Sequence, residues 1–143
     1  MDARITAIYR YPVKGFTPEP LAAVDLAPDR HFPFDRLYAV ENGPSGFDPA
    51  APVFTPKQKF TVLASIPRVA AARTRYDEAT HTFHATAQGA PAFEGRLTEP
   101  EGRAAFAAWL TDLLGEELRG PLRVFEAPPE FRFTDHPQGQ VSL

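Results

Sequence analysis

Lysine is scarce in this chain, and its placement gives the first chemical clue. Twelve arginines accompany only three lysines, Lys14, Lys57 and Lys59. Lys14 closes a strand-like run, Tyr9-Arg-Tyr-Pro-Val-Lys-Gly15, and Gly15 turns the chain behind it. An ammonium at such a turn, beside backbone N–H groups left without strand partners, suits a phosphate. A solvated strand-end lysine followed by an ordinary turn glycine is the plainer alternative. Arg36, in the pair Asp35-Arg36 ahead of an apolar run, offers a planar fork that can grip a phosphate or a heterocycle oxygen bidentately. Pairing with Asp35 or another carboxylate is the commoner fate of such an arginine.

Other chemistry finds less support. His81 and His84 stand three apart, which on a strand places them on opposite faces, and His31 is isolated. Asp135, His136 and Ser142 make a nominal triad, yet no nucleophile elbow surrounds them, and they read as polar junction residues. With no cysteine, the chain has no disulfide, thiolate metal site or thiol nucleophile. Glu116-Glu117 is a solvated helix end, and neither a Walker loop nor a dinucleotide fingerprint occurs. No catalytic residue and no metal ligand is assigned.

The elements that must position Lys14 and Arg36 are short. Ile5 to Tyr11 reads as a strand, with Ile5, Ala7 and Tyr9 on one face and Thr6, Ile8 and Arg10 on the other. Leu21 to Leu26 and Leu37 to Glu41 follow as strands, then Thr61 to Ile66 and Val69 to Tyr76. In the last, Ala70, Ala72, Thr74 and Tyr76 face inward while Arg73 and Arg75 face water. A polar connection leads to His81–Ala87, with Phe83 and Ala85 inward, making the best hairpin in the chain. Thr98-Glu99-Pro100-Glu101 has the pattern of a capping box. Phe106, Trp109, Leu110, Leu113 and Leu114 then recur at helical spacing, Gly115 suits the terminus, and Leu122 to Phe125 could close a sheet. The fold class expected is α+β: a mostly antiparallel, barrel-like sheet of six or seven strands with one late amphipathic helix.

Bulk properties bound the answer. At 143 residues the chain fits one domain and can bury roughly two thirds of its unfolded surface. A hydrophobic share of 43% is ordinary for a globular protein. A net charge of -3 argues against a general nucleic-acid binder, although it leaves room for a local basic pocket. Sixteen prolines, about twice the usual share of ~5%, point to short elements and stiff turns. The N-terminus lacks a signal-peptide layout, and no apolar run approaches ~18 residues, so a soluble cytoplasmic protein without a membrane partner is expected.

Taken in order, Tyr11-Pro-Val-Lys-Gly15, Asp35-Arg36-Leu-Tyr-Ala-Val40 and Phe54-Thr55-Pro-Lys57 resemble the signature of the MOSC N-terminal β-barrel domain. Thr134-Asp135-His136-Pro137, leading into Val141-Ser142-Leu143, resembles the start of the adjoining MOSC domain. The resemblance covers essentially this whole chain but only about the first half of a two-domain member. It implies a domain over residues 1–130 and a junction with the truncated start of a second over residues 131–143. It also implies a molybdopterin-type molybdenum cofactor, contacted by Lys14, Gly15 and Arg36 and, at the junction, by Val141 and Ser142. Two departures stand out: the family often has serine where Gly15 stands, and Val141 carries no side-chain donor.

In the family the metal is held by a cysteine of the second domain, which this chain does not supply. The resemblance therefore implies an N-terminal domain that contributes a cationic rim to the site of an oxidoreductase or sulfur-carrier protein and is inactive alone. Its partners would be the missing MOSC domain, in cis or in trans, and a redox partner. The alternative is a stand-alone, non-catalytic barrel module that binds or assembles with a protein partner.

Overall fold

A computed structural model describes residues 2–136. Seven short strands and one helix make up its regular elements: β1 (Ile8–Arg10), β2 (Glu19–Leu21), β3 (Tyr38–Asn42), β4 (Arg73–Asp77), β5 (Thr82–Thr86), β6 (Phe93–Gly95), α1 (Pro100–Leu114) and β7 (Leu122–Glu126). All strand pairings are antiparallel and fall into three small sheets, β1-β2, β3-β7 and β4-β5-β6. The expected mixture of antiparallel strands with one late helix is present. The expected sheet is divided into three, and no closed barrel is found among the described residues. Isolated bridges link the pieces instead, Val13 beside Tyr38 and Glu41 beside Phe60.

The β3-β7 pair is the centre of the molecule because both of its faces are covered. Successive strand residues point to opposite sides. Tyr38, Val40 and Val124 enter one apolar cluster, with Val13, Phe16, Phe83, Phe106, Leu110 and Leu114. Ala39 and Phe125 enter the other, with Phe47, Phe60, Val62 and Phe133. A strand buried on both sides needs a continuous apolar run, and Tyr38-Ala-Val40 supplies it.

α1 contributes Phe106, Leu110 and Leu114, four apart on one face and fully buried. The Phe106 ring meets Phe83 edge-on at 4.8 Å and Phe93 at 5.3 Å. Burying each such side chain stabilises the fold by about 1.5–3 kcal/mol. The capping box does not form. Pro100 occupies the first helical position, so Glu99 takes the cap place without a side-chain bond, and Thr98 falls one residue too early. No helix among the described residues is long and apolar enough to cross a membrane.

The β4-β5 hairpin pairs as its alternation demands, Thr74 opposite Ala85 and Tyr76 opposite Phe83. Ala72, Thr74 and Tyr76 are buried and Arg73 and Arg75 exposed; Ala70, expected inward, is exposed because residues Pro67–Ala71 form a 3-10 turn that buries Val69 instead. Two expected strands are absent. Residues 61–66 fold into a tight turn, in which the Ile66 N–H donates to Val62 O at 2.9 Å. Residues 22–26 pair with nothing among the described residues, and Leu26 is 66% exposed. Only Glu19–Leu21 joins β1. On β1 the buried side chain is Arg10, 1% exposed, and the apolar Tyr9 faces outward.

Candidate functional site

The segment carrying Lys14 is laid beside the start of β3. The Arg36 N–H donates to Tyr11 O at 2.6 Å, the Tyr38 N–H to Pro12 O at 3.1 Å, and the Lys14 N–H to Tyr38 O at 2.8 Å. Pro12 forfeits no bond here, because its carbonyl is the group in use. These bonds bring two sequence motifs 22 residues apart into one ribbon, and with them the two predicted cations.

Lys14 is not a solvated strand-end lysine. Its side chain is 1% exposed, and Nζ donates to Phe133 O at 3.3 Å, Thr134 O at 2.8 Å and Asp135 Oδ1 at 3.1 Å. Burial lowers its pKa from the ordinary lysine value; the Asp135 carboxylate opposes that shift, while Arg36 and Lys57 add to it.

Arg36 adopts φ +46° and turns its guanidinium over the Tyr11 ring, 4.4 Å from the ring centroid. Its Nη1 donates to Asp35 Oδ2 at 2.7 Å, so the commoner fate of an arginine does apply to half of the fork. Asp35 is buried, and its other oxygen accepts the Tyr11 N–H at 2.8 Å. The second Arg36 nitrogen, Nη2, looks toward Asp135 Oδ2 at 3.9 Å. One carboxylate therefore spans Lys14 and Arg36.

Gly15, Arg36, Lys57 and Asp135 line a hollow of about 660 Å³ with Tyr9, Tyr11, Phe16 and Phe32. Lys14 lies behind this wall, reached through Asp135. Gly15 has φ +72° and presses on Val62, and its carbonyl accepts the Leu63 N–H at 2.8 Å. Lys14, Gly15 and Arg36 are thus brought together. Val141 and Ser142, the other two predicted contacts, lie outside the described residues, and so does the Ser142 of the nominal triad.

Two participants were not placed here by the sequence. Lys57 lies in a signature motif but showed no reason to approach Lys14. Asp135 is 121 residues from Lys14, and nothing local marks it as its counter-charge. A separate hollow of about 730 Å³ lies between β7 and α1, around Arg103 and Glu126, and contains none of the predicted residues. Burial raises the Glu126 pKa, and Arg103 and Arg132 oppose that shift. Among the described residues no group of three or more His, Asp and Glu side chains could hold a metal ion.

The set suits an anionic, partly aromatic ligand: two cations joined by the Asp135 carboxylate, a third cation, Lys57, and aromatic walls, with Asp35 already paired to Arg36. It does not include a soft metal ligand. No match is found among curated proteins or among solved structures. A family model, that of the MOSC N-terminal beta barrel domain, matches residues 2–117. With most of its length under that match, the chain belongs to the MOSC N-terminal beta barrel domain family.

Proposed function

We propose that this domain supplies the cationic side of a molybdenum-cofactor site in a two-domain MOSC protein. The observation that carries the reading is the shared carboxylate: Asp135 touches Lys14 at 3.1 Å and approaches Arg36 at 3.9 Å, as one phosphate would. Lys14 and Arg36 would hold the phosphate of the pterin, Gly15 would present backbone close to it, and Tyr9 and Tyr11 would wall the hollow. When bound, the cofactor would supply the redox or sulfur-carrying metal, whose thiolate ligand must come from another domain, since this chain has no cysteine. The chain's own part is to bind, orient and neutralise, not to catalyse. Turnover would then require a MOSC domain, in cis or in trans, and an electron donor.

Titration of the chain with molybdopterin tests this reading. Lys14→Met, which keeps the aliphatic stem in its buried channel, and Arg36→Ala should each weaken binding about 10- to 100-fold, the equivalent of a charge-assisted bond. Binding should also weaken with salt. Affinity that is untouched by both substitutions and indifferent to salt would remove the reading.

A further inference from the structure

Asp135 occupies the place an incoming anion needs. An ammonium has three N–H donors. In Lys14 all three are spent, on Phe133 O, Thr134 O and Asp135 Oδ1. Two of those acceptors are neutral backbone groups held by the fold; the Phe133 N–H is itself bonded to Arg36 O at 3.0 Å. Asp135 alone is a charged side chain, and it is 60% exposed, so it can swing away without breaking backbone pairing. Its second oxygen faces Arg36 Nη2, while Nη1 is given to Asp35.

We propose that Asp135 sets the ligand specificity of this seat: it is a tethered carboxylate that must be displaced, so the seat admits phosphate monoester dianions and rejects monoanionic carboxylates. The inference rests on reading Lys14 and Arg36 as an anion seat. A group tethered this closely competes at an effective concentration on the order of millimolar. A free carboxylate brings the same charge and the same two oxygens, so exchange gains it nothing. A phosphate monoester brings about −1.5 to −2 charge and a third oxygen. That surplus can be shared with Lys57, which lines the same hollow.

Calorimetric titration with inorganic phosphate and with acetate, at roughly pH 7.5 where phosphate is mostly dianionic, tests the proposal. The proteins are wild type, Asp135→Asn, and Asp135→Asn combined with Arg36→Ala. Asparagine keeps an oxygen for Lys14 but drops the charge. Wild type should bind phosphate and ignore acetate. Asp135→Asn should bind phosphate about tenfold tighter, some 1.4 kcal/mol, and should begin to bind acetate. Phosphate affinity that stays level or falls in Asp135→Asn overturns the proposal. Tighter binding that survives unchanged in the double variant places the anion elsewhere, and removes the seat itself along with the proposed function. Should Asp135→Asn fail to fold, spectra of the wild type decide: saturating phosphate must shift the Thr134 and Asp135 amides and the Asp135 carboxylate carbon, and binding without those shifts overturns displacement.

Discussion

Gly15 and Val62 stand so close that a Cβ on Gly15 would fall 2.3 Å from Val62 Cγ1 and 2.9 Å from Val62 Cα. The backbone at Gly15 is also left-handed, at φ +72°. Glycine is therefore dictated here by the turn at residues 61–66, which leans on the Lys14 segment. Gly15→Ser should destabilise the chain by roughly 2–4 kcal/mol, from overpacking and backbone strain together. Urea unfolding would measure it. Val62→Ala in the same chain should recover only part of the loss, since the Val62 backbone is itself in contact.

Gly102 gives a prediction against ordinary helix propensity. Gly102 lies in the first turn of α1, and replacing a helix glycine by alanine normally gains up to about 1 kcal/mol. Here the added Cβ would sit 1.9 Å from Arg96 O, a backbone atom that cannot rotate away. Gly102→Ala should lower stability, and a melting temperature equal to or above that of wild type would contradict the packing described for α1.

Arg10 is the largest fully buried side chain. It donates from Nε to Glu19 Oε2 at 3.0 Å and from Nη2 to Tyr76 O at 3.1 Å, and it also pairs with Glu78. It thereby ties the β1-β2 pair to the end of β4. Removing one partner of a buried pair leaves the other charge uncompensated, so Arg10→Ala should cost about 3–5 kcal/mol. Arg10→Ala with Glu19→Gln should cost less than the sum of the two single changes, which a double-mutant cycle in urea would read.

Alkaline pH should act through Tyr38. Burial pushes its phenol well above the usual tyrosine value, so the folded chain keeps a proton that the unfolded chain releases near pH ~10. More protons on the folded state means that stability falls as pH rises past that point. Tyr38→Phe should make this alkaline decline shallower, as measured by unfolding at several pH values above ~9.5. Lys14 acts in the opposite sense just below its unfolded value of 10.5: its folded pKa is lowered, so the unfolded chain binds more protons there and stability rises with pH. Lys14→Met should remove that rise and leave the decline.

Much of the fold could be read from periodicity. The β4-β5 hairpin and the α1 stripe of Phe106, Leu110 and Leu114 were legible because each repeats at the spacing of its own element. Residues 22–26 misled for a related reason: Ala22, Val24 and Leu26 alternate, yet alternation cannot say whether a partner strand exists to cover them. The missed cap at Thr98 reflects a competition between two local rules, in which Pro100 at the first helical position prevailed. Arg10 was invisible as a core residue because charge reads as surface unless its partners are known, and Glu19 and Glu78 are known only from the fold. In the candidate site, Lys14 and Arg36 stood out by type and turn context. Their meeting through Asp135 depends on a contact between opposite ends of the chain, which no local pattern encodes.

The strap over Lys14 has a mechanical consequence. The main chain of Phe133 and Thr134 is fastened to the Lys14 ammonium and to Arg36 O, and the described fold ends one residue beyond Asp135. Phe133, Thr134 and Asp135 are thereby held against the ammonium as one short segment. Displacing that segment would pull on both cations together, because its backbone holds Lys14 and its carboxylate faces Arg36.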